Sequence, residues 1–191
     1  MPAHSQTSTA AIVAAGRRLL EERGTEALTM RDVADAVGVR APSLYKRVRG
    51  RADLFRLILE DVADELTVAL DAAATSGDPA TDIRAMTATY RRFARSNPVA
   101  YALMLTPSAV PGATARSVRS SATFLRVVAE LVGQARALEA ARLIVAWAHG
   151  FISMELAGAF RLGGDVDQAW DFGLDSILIA VRHTGATPSP Q

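Results

Sequence analysis

The chain has no cysteine among its 191 residues, which excludes disulfides, thiolate nucleophiles and cysteine-ligated zinc or iron–sulfur centres. Histidine is almost as scarce, with only His4, His149 and His183, so no multi-histidine metal site is expected and no cofactor is assigned. Lys46 is the single lysine. Arginine carries the rest of the positive charge, which with the abundant alanine points to GC-rich coding rather than to a function. Excess charge of either sign is also missing, the formal net charge being +1, so only the distribution of charge can point to a partner. The longest apolar run, Leu143 to Met154, contains His149 and falls short of the roughly 20 residues a membrane span requires. The apolar Ala10–Ala15 run is followed by Arg17 and Arg18 rather than preceded by a basic residue, the reverse of an export signal. A cytoplasmic protein with no membrane partner is the expectation.

What the chain does have is helical periodicity, and strand-like alternation is nearly absent. Ile12, Ala15, Gly16, Leu19 and Leu20 follow helical spacing up to Gly24. Thr29 with Asp32 three residues on resembles a capping box opening a helix through Val37, stopped by Gly38. Pro42 suits the first turn of a third short helix ending near Val48. A longer helix is expected from about Arg51 to Ala74, with Leu54, Phe55, Ile58, Val62, Leu66 and Leu70 on one stripe. Asp78-Pro79 and Asn97-Pro98 start new helices, and Thr106 to Gly112 is a loop. Helices from about Ala113 to Val132, Ala137 to Leu162 and Asp165 to Arg182 complete the chain. The expected fold is all-α, with three short helices and then about six longer ones. Residues 1–8 are expected to be a flexible N-terminus, 9–50 a small three-helix domain, 51–184 a larger helical bundle, and 185–191 a disordered tail.

The segment Thr29 to Leu54 carries the chemistry. Two short helices around Gly38-Val39-Arg40 form a helix-turn-helix, with Val33, Val37, Val39, Leu44 and Val48 inward and Ala41, Pro42, Ser43, Lys46 and Arg47 outward. In such a unit the outer face of the second helix enters the DNA major groove. From Arg40 to Arg56 six basic residues stand against one acid, Asp53, whereas residues 61–191 hold eleven basic and thirteen acidic residues. A near-neutral chain thus concentrates positive charge where phosphates would be neutralised.

These residues resemble the tetracycline-repressor (TetR) family of bacterial regulators. The resemblance covers about residues 10–56 through Ala15, Leu19, Leu20, Gly24, Thr29, Val33, Ala34, Gly38, Val39, Ser43-Leu44-Tyr45, Gly50, Arg51 and Leu54. Arg47, Val48 and Arg51 stand where the family usually has His, Phe and Lys. Side-chain type assigns the roles. Thr29 offers a hydroxyl or N–H to a phosphate, and Arg47, Arg49 and Arg51 hold the DNA backbone. Arg40 and Lys46 are the candidates for guanine contacts, with Ser43 and Ala41 as adaptable neighbours. Tyr45 combines a packing ring with a hydroxyl for phosphate, a role the resemblance also implies.

In the larger domain, Ala140 to Phe160 is apolar around most of its circumference, and the last helix has a similar excess in Trp170, Phe172, Leu174, Ile177, Leu178 and Val181. Such helices are buried on several sides, by their own core or by a partner. The resemblance implies that the last two long helices pair with their symmetry mates, with Phe151, Leu156, Phe160, Trp170, Leu174 and Ile177 as candidate dimer residues. Trp147-Ala148-His149-Gly150 resembles one C-terminal subgroup, the Trp-His-Gly type. Two heads about 34–36 Å apart would read a palindrome. Met86, Tyr90, Phe93, Tyr101, Met104, Phe124, Trp147 and Met154 either fill the core or wall a cavity for a small, mainly apolar effector, with Tyr90, His149 or Ser153 as polar handles. Arg91, Arg92 and Arg95 read as a solvated face.

An enzyme is not expected. His149 and Ser153 share a helix face, but Glu155 lies on another and no glycine-rich elbow is present. Asp167, Asp171 and Asp175 share a face without histidine or cysteine nearby, so no metal site is assigned. The expectation is a homodimeric transcriptional repressor on double-stranded DNA, released by an effector. The alternatives are an effector-independent activator or architectural protein, and a helical module whose basic face meets anionic membrane.

Overall fold

The computed structural model describes residues 8–105 and 113–183, and only the backbone of 113–120. The expectations for residues 1–7, the 106–112 loop and the 185–191 tail lie outside the described residues. Regular structure among the described residues is helical throughout: α1 (Thr9–Ala27), α2 (Met30–Ala36), α3 (Ala41–Leu44), α4 (Arg51–Ala73), α5 (Pro79–Ser96), α6 (Pro98–Met104), α7 (Ala113–Val132), α8 (Ala137–Leu156) and α9 (Val166–His183), with a 3-10 turn at Gln134–Arg136. The all-α fold is the one expected; the expected order of three short helices and then longer ones is not kept, since α1 has 19 residues and α6 only 7. No described helix is long and apolar enough to cross a membrane.

Two compact units divide the chain, and the division does not fall at Gly50. One unit holds α1 to α3, α4 as far as Glu65, and α6. The other holds α4 from Leu66, α5, α7 from Val118, α8 and α9. In the first, α1 packs on α2 and α6, and α2 on α3. Its core includes Ile12, Leu20, Leu28, Val33, Leu44, Val48, Leu54 and Ile58, all almost fully buried. Gly16 lets α1 approach α4, since a Cβ there would lie 3.0 Å from Ile58 Cδ1 and 3.1 Å from Leu54 Cδ1. The return of α6 to this unit is invisible to local patterning. Asn97, the residue before α6, makes no side-chain cap bond. Glu21 of α1 substitutes for it, accepting from the backbone N–H groups of Val99 (3.0 Å) and Ala100 (2.9 Å). Arg17 donates to Asn97 Oδ1 (2.7 Å) and pairs with Asp61 and Glu65 of α4.

In the second unit, α8 packs on α5 and α9. The sequence expectation carried α8 to Gly163-Gly164, but the helix ends at Leu156. Gly158 adopts φ +63, and the N–H groups of Gly158 and Ala159 donate back to the carbonyls of Glu155 and Met154, both at 2.9 Å. That pair of bonds closes a helix end through a left-handed residue, which glycine adopts without steric cost. Phe160 therefore lies outside the helix. Gly173 has a different reason: a Cβ there would sit 2.5 Å from Cζ2 of Trp147. The indole packs against Phe151 and Trp170, at centroid distances of 5.7 and 4.8 Å, which restrains its movement. Gly173→Ala is expected to cost about 1–3 kcal/mol by overpacking. Denaturant unfolding checks this, and an unchanged midpoint would show that the ring has room to move.

Candidate nucleic-acid interface

The reading unit is assembled by local hydrogen bonding. Thr29 Oγ1 accepts from the N–H of Asp32 (3.1 Å), and the Asp32 carboxylate accepts from the Thr29 N–H (3.2 Å) and hydroxyl. This reciprocal box satisfies donors at the start of α2. At its end Gly38 takes φ +71, and the N–H groups of Gly38 and Val39 donate to the carbonyls of Asp35 (3.2 Å) and Ala34 (3.0 Å). A side chain at that φ would cost about 1–2 kcal/mol, so the glycine sets the sharp turn from α2 into α3.

The second helix is shorter than expected, with α3 covering Ala41–Leu44 instead of reaching Val48. The N–H groups of both Arg47 and Val48 turn back onto the Leu44 carbonyl at 2.9 Å, and that tightened turn buries Val48 beside Leu44. The alternation of faces nevertheless survives. Leu44 and Val48 are buried, Ala41 is half-buried, and Pro42, Ser43, Tyr45, Lys46, Arg47 and Arg49 are exposed. Tyr45 leaves 54% of its surface in solvent, a large aromatic ring set among cations. Arg40 stands exposed at the N-cap of α3.

Two expected phosphate ligands are otherwise engaged. The Thr29 hydroxyl and N–H both donate to Asp32, and the carboxylate already supplies the anion that the start of α2 favours. Arg51 donates through Nε to the Leu28 carbonyl (3.2 Å) and through Nη2 to that of Thr25, and its guanidinium lies 4.8 Å from the Phe55 ring centroid. It thereby ties the start of α4 to the α1–α2 turn. Arg56 pairs with Asp53 (2.7 Å) and Glu60 (2.6 Å). Composition counts these cations as one cluster; only the fold separates the occupied from the available. Arg40, Lys46, Arg47 and Arg49 form no ion pair among the described residues, and neither does exposed Arg31 on α2, which sequence reasoning missed. Its signal was available: Arg31 lies in the first turn of the helix that crosses the DNA backbone in this arrangement.

Two carboxylates brace the unit. Hydrogen bonds from the Arg49 N–H (2.9 Å) and then from Arg56 hold the Asp53 carboxyl below its ordinary range, and the Thr29 hydroxyl, followed by Arg23, does the same for Asp32. Groups whose folded pKa is depressed contribute stability that is complete above the ordinary value near 4 and is lost as pH falls through the lowered value. The unfolding midpoint is therefore expected to fall at acid pH below about 4. Asp53→Asn, lacking that titration, should show a smaller acid-side fall in pH-dependent denaturation. An equally steep fall would assign the acid sensitivity elsewhere.

The other site expectations scatter. Of the expected effector residues, Tyr101 and Met104 lie on α6 in the first unit, whereas Met86, Tyr90, Phe93, Phe124, Trp147 and His149 belong to the second. Met86, Phe93, Tyr101 and Phe124 are buried, and Tyr90, Met104, Trp147 and His149 half-buried. None of them lines the hollow of about 500 Å³ in the first unit, which is bounded by Thr25, Glu26, Arg51, Phe55, Leu59 and Leu103. Among the expected dimer residues, Trp170 and Leu174 are only 3% and 2% exposed within one chain, so they are core residues. Phe151 and Ile177 are half-buried, and Leu156 and Phe160 are exposed. Other large apolar side chains exposed on these helices are Leu138, Leu143, Val145 and Met154 on α8 and Phe172 and Ile179 on α9, with Gly150 also exposed on α8. Arg91 is likewise buried rather than part of a solvated face. No described cluster of histidine and carboxylates has the makings of a metal site; Asp175 pairs with Arg84 and Asp167 with Arg91.

Comparison with known proteins places this geometry. Residues 12–58 match the family model described as bacterial regulatory proteins, tetR family, and residues 83–177 match that of the tetracyclin repressor-like C-terminal domain. An HTH-type transcriptional regulator of Saccharopolyspora erythraea is 33% identical over 145 residues, covering 75% of this chain and 59% of that protein. One from Mycobacterium tuberculosis is 34% identical over 122 residues, covering 62% and 52%. The chain thus spans about half the length of the curated relatives it matches. Among solved structures, a protein of unknown function from Rhodococcus aligns with TM-score 0.80 at 23% identity over 94% of this chain and 98% of its own. A single-substitution variant of TetR from Acinetobacter baumannii, in complex with minocycline, aligns with TM-score 0.66 at 21% identity over 94% of this chain and 99% of its own. At these identities the structural likeness concerns the fold.

Proposed function

The chain belongs to the TetR family of bacterial regulators, and on that premise we propose that it is a DNA-binding transcriptional regulator, acting as a homodimeric repressor on a palindromic operator. The observation that carries this reading is the exposed set Arg40, Tyr45, Lys46, Arg47 and Arg49, whose cations form no ion pair among the described residues, flanking the short helix α3 and held in place by buried Leu44 and Val48. Unpaired cations neutralise phosphates without first breaking an internal bond, and each releases counterions. Lys46 and Arg40 are assigned to guanine edges, Ser43, Ala41 and Pro42 to the groove wall, and Arg47, Arg49, Arg31 and the Tyr45 hydroxyl to phosphates.

One reading helix offers few base contacts, so a second copy related by a twofold axis is required, with half-sites about 34–36 Å apart. The exposed apolar stripe of α8 and Phe172 and Ile179 of α9 supply a surface for that copy. A small-molecule effector is proposed because the Acinetobacter neighbour is a minocycline complex and because this chain carries Tyr90, Trp147 and His149 half-buried in its second unit. Release follows from linkage: the effector lowers DNA affinity only by its preference for the non-binding arrangement. The chain passes from one unit to the other within α4, between α5 and α6, and within α7.

DNase footprinting on DNA upstream of the gene tests the central reading. Protection of an inverted repeat is the expected result. Uniform binding to any duplex, without a footprint, would leave only an architectural role.

A further inference from the structure

Arg91 of α5 is the only buried arginine among the described residues. Its guanidinium forks onto Glu155 of α8, with Nε 2.8 Å from Oε2 and Nη2 2.7 Å from Oε1, and Nη2 also lies 2.8 Å from Oδ1 of Asp167 in the first turn of α9. The same cation stands 5.0 Å from the ring centroid of Trp170 on α9 and 5.5 Å from that of Phe151 on α8. Around it the rings close on one another, Trp170 against Trp147 at 4.8 Å and Phe151 against Phe160, in the link between the two helices, at 4.7 Å. One side chain therefore contacts α8 and α9 by ion pair and by ring at once. Its hydrogen bonds to Glu155, and then its pairing with Asp167, raise its pKa above the ordinary arginine value.

A buried ion pair is poor evidence for stability, because apolar side chains of the same volume would fill the space at no loss. What apolar filling lacks is direction. A planar fork has one favourable geometry with a carboxylate, and a ring above it has one favourable face. Lysine, a point charge, reproduces neither. On the reading that a second copy covers the outward faces of α8 and α9, we propose that Arg91 is a positioning residue. It fixes how α9 seats on α8 and thereby shapes the surface formed by Leu143, Gly150 and Met154 with Phe172 and Ile179. None of these five needs to touch Arg91 for its placement to depend on it.

The decisive variant is the double replacement Arg91→Met with Glu155→Met, made in the full chain, because it removes the fork without leaving a lone buried charge. Sedimentation equilibrium gives the dimer constant, and thermal unfolding gives the stability. The expected result is a folded protein whose dimer dissociates at least about tenfold more readily, an effect on association that volume filling does not repair. Arg91→Lys should weaken the dimer in the same direction. It serves as the deciding variant if the double replacement does not fold. A folded variant whose dimer constant stays within about twofold of the parent's would overturn the positioning role and leave the knot as packing alone. A parent chain that is monomeric throughout would instead remove the homodimer reading itself, and the proposal with it.

Discussion

Alanine at both Tyr45 and Arg47 is expected to abolish operator protection while leaving the protein folded and self-associated. Both side chains point outward, and neither contributes to the core formed by Leu44 and Val48. Their loss should therefore leave the unfolding midpoint within the small range typical of surface substitutions. The loss in DNA binding is felt twice, once at each head. With about 1.5–3 kcal/mol for a hydrogen bond to a charged group, losing two phosphate contacts per head in a dimer predicts at least about a hundredfold weaker binding. The slope of affinity against salt should also fall, since fewer phosphates are neutralised. Electrophoretic shift and footprinting over a salt series measure both. Undiminished binding would mean that another surface reads the DNA; loss of folding would mean that Tyr45 supports the unit from outside.

The second large effect separates core from contact surface on α9. Trp170→Ala is expected to cost about 3–5 kcal/mol, the range for emptying a buried aromatic site. Trp170 is almost fully buried and packs against Trp147, Phe151 and the Arg91 guanidinium. Phe172, two residues on, keeps 76% of its surface in solvent within one chain. Phe172→Ser should hardly alter the stability of the single chain, and should weaken self-association where a second copy covers that face. Denaturation at low protein concentration, set beside sedimentation, distinguishes the two variants. If Trp170→Ala weakened only association, the burial of Trp170 would have to come from the partner. If Phe172→Ser left the dimer unchanged, the second copy would sit elsewhere.

The reading unit is largely legible in the amino-acid sequence, because its determinants lie within a few residues of one another. Thr29 meets Asp32 across three positions, Gly38 supplies the one backbone angle the turn needs, and Leu44 and Val48 alternate with polar neighbours at helical spacing. Even there, the α3 boundary moved by a turn, with the N–H groups of Arg47 and Val48 both closing onto the Leu44 carbonyl. The availability of each cation was not readable. Thr25 and Leu28 occupy Arg51 across more than twenty positions, and no composition count distinguishes that residue from Arg47.

In the second unit, sequence settled that α8 and α9 are helical and more apolar than one buried face requires. Which of their side chains turn inward was left to tertiary packing, because a helix apolar on most sides has no hydrophobic face to orient it. Trp170 and Leu174 went to the core and Phe172 to solvent through contact with residues far along the chain, and Arg91 met Glu155 across 64 positions. Bonds closed within one helical turn are written in neighbouring residues. Choices among chemically equivalent arginines, or among equally apolar faces, are made only when distant segments meet.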